Sequence, residues 1–152
     1  GNPRAIAFPR GDVCNERRDL QVKRPDCCFS FSGLKTALLY HLKAHPLEAA
    51  ALPDLAASYQ EAVVDTLGRQ VVRALEYEPV RSIGCAGGVA RNAQLRERLA
   101  VLASAHGLPL LMAEPDYCTD NAAMIASLGA ALLGQGAPPT PLDCDIEPNW
   151  SL

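Results

Sequence analysis

Aromatic residues, membrane-length apolar runs and zinc-type cysteine pairs are scarce or missing in this chain of 152 residues. Aromatic side chains make up 5% of it, so the core has to be built mainly from Ala, Leu and Val. No apolar run is long enough to cross a bilayer and no signal peptide is evident. Six cysteines are present, but no two have the C-x-x-C spacing of a zinc site. These absences predict a reduced cytoplasmic protein without a membrane partner.

An excess of positive charge is missing as well. The chain has 14 Lys and Arg residues against 17 Asp and Glu residues, which gives a formal net charge of -3. Bulk charge therefore does not drive nucleic-acid binding, and a local patch is the remaining route.

What is present is an ordinary globular composition, with 49% hydrophobic and 20% charged residues. The length fits one domain or one lobe of a larger protein. Because the chain opens with Gly1 rather than Met, we expect a fragment whose upstream half is absent. We divide it into an irregular first segment (1–28), an α/β lobe (29–136) and a Pro-rich tail (137–152) packed on the lobe through Trp150.

Apolar spacing and turn residues predict alternating helices and strands, hence an α/β lobe with parallel strands. The predicted elements are a short strand at Ile6–Phe8, a helix opened by Ser30 or Ser32 and ending by His45, a helix from Pro53–Asp54 to Tyr77, a strand at Val80–Ala86, a helix at Asn92–His106, a strand at Leu108–Met112 and a helix at Thr119–Leu133. Gly68 is expected to let another helix pack closely. The last helix is rich in Ala, Ser and Gly, so close neighbours are expected there too.

A glycine-rich stretch from Gly84 to Asn92 begins at the end of the predicted strand Val80–Ala86 and precedes a helix. Gly87 and Gly88 can adopt positive φ without Cβ strain, and such a loop can hold a phosphate. A purely structural turn is an equally good interpretation. Asn92 can bind a ribose or phosphate, or it can cap the helix that follows.

A second polar stretch, Thr119-Asp120-Asn121, precedes the last helix. Asp120 has the carboxylate needed to bind a divalent metal ion. It is equally placed to be the N-cap of a helix starting at Asn121.

Two further positions have chemically active side chains. His41 and His45 form H-x-x-x-H on one predicted helical face, but no Glu lies between them, and we interpret them as last-turn residues that complement the helix dipole. Lys35 lies in the first turn of its helix, which is unfavourable for a cation and favours a role with an anionic ligand.

Three blocks of sequence together resemble one family. They are 29–36 (FSFSGLKT), 86–92 (AGGVARN) and 117–126 (YCTDNAAMIA). They are similar to the carboxy-terminal half of the TsaD family, which makes threonylcarbamoyladenosine in tRNA and was formerly called a glycoprotease or O-sialoglycoprotein endopeptidase family. Its archaeal and eukaryotic counterpart belongs to the KEOPS complex.

The resemblance implies the second lobe of the actin-like, sugar-kinase and chaperone ATPase fold. It implies transfer of threonylcarbamoyl from threonylcarbamoyl-AMP to the adenosine beside the tRNA anticodon, with threonylcarbamoyl-AMP or ATP as the nucleotide ligand. Bacterial partners would be a TsaB-like paralogue and a TsaE-like ATPase. Two alternatives are a metal-dependent peptidase, for which no general base is evident, and a non-catalytic nucleotide-binding scaffold. Self-association through an exposed sheet edge is also expected.

By position, the resemblance assigns Asp120 to an active-site iron or zinc, and Asn92, Gly87 and Gly88 to the nucleotide. Further candidate site residues are Lys35, Ser32 and Thr119. The family's two histidine ligands lie on an H-x-x-x-H segment of the amino-terminal half, which these 152 residues do not contain. The metal role is therefore not given to the two histidines of this chain, and the fragment alone is expected to be inactive.

Overall fold

A computed structural model describes residues 1–11, 27–141 and 143–145 of the chain. Its helices and strands are α1 (Ser32–Ala44), α2 (Leu52–Tyr77), β1 (Ile83–Cys85), α3 (Ala93–Ala105), β2 (Leu110–Met112) and α4 (Ala122–Gly134), with short 3-10 helices at Gly88–Arg91 and Pro115–Tyr117. The order confirms the predicted α/β alternation. The helices are close to their predicted lengths, whereas both strands are shorter than predicted.

The two strands form a parallel pair, as predicted. Ile83 lies opposite Leu110, and Cys85 lies opposite Met112. Helix α3 makes the crossover between them and packs on both β2 and α2. Because parallel strands end at the same edge, the loops that follow Cys85 and Met112 begin side by side.

Helix α1 ends at Ala44, as expected from Pro46, which disfavours helical backbone in the residue before it. Its N-cap position is Phe31, whose side chain makes no capping hydrogen bond. The Ser30 hydroxyl accepts the N–H of Ser32, the first residue of α1, at 3.3 Å, so one of the two predicted serines does bind a free N–H group at the start of the helix. Leu34 is the buried residue of this helix and packs with Phe8 in the core.

Helix α2 buries a row of polar side chains to which the first residues of the chain bind. The Ser58 hydroxyl accepts the N–H of Ile6 at 3.1 Å, and the Thr66 hydroxyl accepts the N–H of Gly11 at 3.0 Å. Residues 6–8 are therefore not the strand that the sequence predicted. Their backbone is held by helix side chains, which alternating apolar residues cannot reveal.

The core has two parts that meet along α2. One consists of Phe8, Leu34, Leu55 and Ala62, and the other of Val64, Leu95 and Leu99. Gly68 lies between α2 and α3, where an added Cβ would be 3.4 Å from Cγ of Arg98 and 3.5 Å from Cδ1 of Leu102. This close approach confirms the expectation for Gly68.

Helix α4 begins at Ala122, later than predicted, because Asn121 is its N-cap. None of its residues is buried, so the expectation of close neighbours is wrong for the described part of the chain. Small side chains permit a close approach, but they do not supply a neighbour. No helix in the described ranges is long and apolar enough to cross a membrane. Trp150 lies outside the described residues.

Candidate functional site

Two loops leave the carboxyl edge of the parallel sheet together. We call residues 86–92 the glycine loop and residues 113–121 the aspartate loop. Cys85 and Met112, the last residues of β1 and β2, are paired, and the N–H of Ala113 donates to the carbonyl of Cys85 at 3.0 Å. The two polar stretches singled out in the sequence therefore start as neighbours in space.

The glycine loop turns sharply at Gly87, whose φ is +87°. Only glycine adopts this backbone conformation readily. Gly88 does not have a positive φ; it starts the 3-10 helix, in which the N–H of Ala90 donates to the carbonyl of Gly87 at 2.9 Å. A Cβ added at either glycine would meet nothing within 4 Å, so the outer side of the turn is open to a ligand.

Asn92 is the N-cap of α3, as the residue pattern predicted. Its side-chain oxygen accepts the N–H of Leu95 at 3.0 Å, and its side-chain nitrogen donates to Oε1 of Gln60 at 3.2 Å. An amide side chain has two N–H donors and two acceptor lone pairs. One donor and one lone pair of Asn92 therefore remain for a ligand beside the glycine turn.

Gln60 begins a chain of polar contacts between α2 and α3. Its Nε2 donates to Oε1 of Gln94 at 2.5 Å, and Gln94 in turn contacts Glu61. Arg98 then joins Glu61, at 2.8 Å, to Asp65, at 3.3 Å. The chain connects the capping side chain of Asn92 to the centre of the α2–α3 interface.

Asp65 is shared by three arginines. It contacts Nε of Arg10 at 2.6 Å and Nε of Arg69 at 3.1 Å, in addition to Arg98. Burial raises the pKa of the Asp65 carboxyl, but the hydrogen bond from Arg10 and the charges of Arg69, Arg10 and Arg98 outweigh burial and lower it below 3.8. The carboxylate thus ties the first segment of the chain to α2 and α3.

The aspartate loop is held by hydrogen bonds of the Cys118 and Asn121 side chains. Cys118 is buried, and its thiol donates to the carbonyl of Ala113 at 3.6 Å. Asn121 accepts the N–H of Met124 at 3.0 Å and donates to the carbonyl of Thr119 at 3.0 Å. Asn121, not Asp120, is therefore the cap, and the prediction of Asp120 as N-cap is wrong.

Asp120 is exposed and has no hydrogen bond or ion pair to another described residue. Within residues 1–11, 27–141 and 143–145, no group of three His, Cys, Asp or Glu side chains lies close enough to hold a metal ion. Iron and zinc need several ligands in a fixed geometry. The described residues therefore do not fit a complete metal site, and Asp120 supplies at most one ligand.

His41 lies in the last turn of α1, and His45 is the C-cap residue that follows this helix. Their rings stack with centroids 4.7 Å apart, and His45 contacts the carbonyl of His41 at 3.2 Å. The ring of His41 also meets Phe8 edge-on at 6.0 Å. These contacts belong to the packing at the end of α1.

Lys35 lies near the glycine loop. It lines a cleft of about 520 Å³ together with Ala86, Val89 and Ala90, while the other walls are mainly aromatic and aliphatic. Lys35 itself is exposed, as is Ser32. Thr119 is also exposed, on the opposite loop, and its carbonyl accepts a hydrogen bond from the side chain of Asn121.

Arg96 is the residue of this region that sequence reasoning missed. Its Nη1 donates to the carbonyl of Ala90 at 3.0 Å and to the carbonyl of Ala113 at 3.0 Å. Its partners lie 6 and 17 residues away, so no local pattern marks it. Asn121 differs, because an Asn directly before an apolar helical run is itself a capping signal.

The chain matches one family model and many curated proteins. The family model described as TsaD, tRNA N6-adenosine threonylcarbamoyltransferase, matches residues 4–127. A curated tRNA N6-adenosine threonylcarbamoyltransferase from Syntrophotalea carbinolica is 39% identical over 154 aligned residues. The alignment covers 100% of this chain and 42% of that protein, so the chain spans less than half the length of its relative.

Proposed function

Because this chain belongs to the TsaD family of tRNA N6-adenosine threonylcarbamoyltransferases, we propose a function in tRNA modification. The full-length protein transfers threonylcarbamoyl from threonylcarbamoyl-AMP to the adenosine beside the tRNA anticodon. The observation that supports this proposal most is the common origin of the glycine and aspartate loops at one sheet edge, where Cys85 and Met112 are paired. The crevice beyond the carboxyl ends of parallel strands is where open α/β sheets bind ligands.

In this proposal the glycine loop holds the nucleotide, as threonylcarbamoyl-AMP or ATP. The open side of Gly87 and Gly88 allows a phosphate to approach the backbone. The spare donor and lone pair of Asn92 suit the ribose or the phosphate. Lys35, across the cleft, provides a cation for the same anion.

The aspartate loop has a different role in this proposal. Asp120 would be one ligand of an active-site iron or zinc, and two histidines from outside these 152 residues would be others. Its exposed carboxylate is not used as a helix cap, which leaves both oxygens for this purpose. Ser32 and Thr119 are further candidates for contact with the substrates.

The transfer forms a bond from the adenosine amine to the carbamoyl carbon and breaks the bond from that carbon to the phosphate oxygen. AMP leaves with the electron pair, and the amine loses a proton. The glycine loop and Asn92 contribute by holding the AMP portion in place. The carbamoyl carbon is then oriented toward the tRNA amine when the two meet.

The wider proposal follows the family resemblance. The chain is part of the second lobe of an actin-like fold, in a cytoplasmic enzyme that works with tRNA, a TsaB-like paralogue and a TsaE-like ATPase. In this proposal the 152-residue chain alone does not catalyse transfer, because the family resemblance places two of the metal ligands outside it. We also keep self-association of this chain as a proposal.

The test is a transfer assay with labelled threonylcarbamoyl-AMP and unmodified tRNA. The protein in its full natural length, with its partners, is expected to label the tRNA, while the 152-residue chain with the same partners is not. Failure of the full-length protein to label tRNA, with metal and partners supplied, would refute the proposal.

A further inference from the structure

Arg96 joins the two loops of the candidate site. We propose that it is a positioning residue that fixes the glycine loop relative to the aspartate loop, so that the ligands bound by each meet in the right geometry. The consequence for transfer rests on the proposed function, whereas the effect on loop geometry does not.

One nitrogen of the guanidinium makes both contacts. Nη1 has two N–H groups, and its two acceptors are the carbonyls of Ala90 and Ala113, each at 3.0 Å. Ala90 is buried in the 3-10 helix of the glycine loop, and Ala113 is the first residue of the aspartate loop. The two carbonyl oxygens therefore converge on one cationic group.

The anchoring of Arg96 makes this contact suitable for positioning. Its own N–H donates to the carbonyl of Asn92 at 3.1 Å, so its backbone lies one turn after the cap. The N–H of Ala113 donates to the carbonyl of Cys85, and the carbonyl of Ala113 also accepts a hydrogen bond from the thiol of Cys118. Arg96 thus connects the start of α3 to a residue that is already fixed to both β1 and the aspartate loop.

Two neighbouring carbonyl dipoles repel each other, and a partly buried carbonyl without a donor is costly. A guanidinium stays charged and presents its donors in a fixed plane, which a lysine ammonium does not. Loss of the arginine is therefore expected to let the two carbonyls separate and the loops move apart.

Arg98, two residues further along α3, gives a matched comparison. It pairs with Glu61 and Asp65 and connects α3 to α2. Arg96, by contrast, has no ion pair with a described residue and contacts loop carbonyls. Substitution of Arg98 therefore reports a loss of helix packing, and substitution of Arg96 reports a loss of loop positioning.

The first test measures backbone hydrogen exchange in the full-length protein and in its Arg96→Gln, Arg96→Lys and Arg98→Gln variants. We expect exchange in residues 86–92 and 113–121 to rise about tenfold in Arg96→Gln and less in Arg96→Lys, with little change in Arg98→Gln. Unchanged exchange in both loops of the Arg96 variants would overturn the proposal. If Arg96→Gln does not fold, the exchange rates of the two loops in Arg96→Lys decide whether Arg96 positions them.

The second test measures transfer kinetics per folded molecule. In the Arg96 variants we expect kcat to fall about 10- to 100-fold, because a misplacement of about 1 Å is enough for such a loss. The KM for threonylcarbamoyl-AMP should change less than about threefold, since the glycine turn and Asn92 are intact. A variant that is less stable but has the kcat of the wild type would show a purely structural role. If the wild-type protein does not transfer at all, the proposed function fails, and the exchange measurement still decides the role of Arg96.

Discussion

Asn92 has two functions that different substitutions separate. Its side-chain oxygen caps α3 through Leu95, and its side-chain nitrogen donates to Gln60. Aspartate and asparagine are about equally good N-caps, whereas alanine is not. The side chain of aspartate keeps the capping oxygen but has no N–H, so Asn92→Asp loses every side-chain donor of the amide.

Asn92→Asp is therefore expected to keep its thermal stability within about 0.5 kcal/mol while it binds threonylcarbamoyl-AMP at least about tenfold more weakly. Asn92→Ala should lose both properties, with a destabilisation of about 1 kcal/mol. Thermal denaturation and calorimetric titration of the full-length protein measure the two effects. Wild-type affinity in Asn92→Asp would exclude the asparagine from the nucleotide site.

The lowered pKa of Asp65 predicts that the stability of the fold depends on pH. Its pKa is lowered in the folded state, because the hydrogen bond from Arg10 and the nearby arginine charges outweigh burial. A lowered folded-state pKa means that the stabilisation is complete above the unfolded-state value of about 3.8 and is lost as the pH falls through the folded-state pKa.

Asp65→Asn should cost about 1–3 kcal/mol at pH 7, since it removes hydrogen bonds to charged groups. The stability difference from wild type should shrink below pH 4. Denaturant titration from pH 7 to pH 3 measures this, with Glu97→Gln as an exposed control. Parallel pH curves for wild type and Asp65→Asn would contradict the account.

Adjacent residues can compete for one local role, and the sequence does not always show which one wins. Asp120 and Asn121 were both suitable caps by type. The extended backbone of Asn121, with φ of −150° and ψ of 153°, places its oxygen on the N–H of Met124. The cap at Asn92 was predictable because no competing residue adjoins it. Arg96 was not predictable, because its partners come together only in the folded chain.

At the scale of elements, α2 and α3 approach closely at Gly68. A methyl group there would lie 3.4 Å from Arg98 and 3.5 Å from Leu102, which is within ordinary contact. Glycine inside a helix costs roughly 0.5–1 kcal/mol relative to alanine. A larger side chain would push α3 away.

Gly68→Ala is accordingly expected to stabilise the protein by up to about 1 kcal/mol, whereas Gly68→Leu should destabilise it by about 1–3 kcal/mol. Thermal denaturation of the two variants beside the wild type distinguishes them. A stable Gly68→Leu variant would show that the two helices are not in close contact at this point.

The helices and the parallel pair were predictable because the apolar spacing agrees, over long stretches, with the Pro and Gly residues that mark the ends of the elements. Predictions for short segments were weaker. Residues 6–8 have strand-like composition, yet the hydroxyls of Ser58 and Thr66 hold the backbone around them. The predicted strands exceed Ile83–Cys85 and Leu110–Met112 because apolar residues such as Val80 and Leu108 look like strand residues in the sequence, although Val80 is exposed and neither belongs to a strand.

At the scale of the whole molecule, α4 leaves a large apolar surface uncovered. Five of its large side chains are 46–70% exposed: Met124, Ile125, Leu128, Leu132 and Leu133. No charged residue occurs from 121 to 141, so nothing in this stretch opposes contact with a second copy. Exposed apolar patches of this kind favour association.

The 152-residue chain is therefore expected to self-associate at micromolar concentration, and Leu128→Lys should reduce the mass measured by light scattering. Leu39→Lys on α1 is a matched control, since Leu39 is 51% exposed and Leu128 is 58% exposed. A monomeric wild-type chain, or an equal effect of both substitutions, would count against self-association through α4.

In the proposed function, the aspartate loop takes part in threonylcarbamoyl transfer. The most direct measurement compares transfer to tRNA by the full-length wild-type protein and its Asp120→Asn and Asp116→Asn variants. Asp116 is an exposed aspartate of the same loop, in the 3-10 helix Pro115–Tyr117, so it controls for charge and location. From the proposed metal role of Asp120 we predict that Asp120→Asn lowers kcat at least about tenfold, while Asp116→Asn stays close to wild type. Unchanged turnover in Asp120→Asn would remove Asp120 from the reaction.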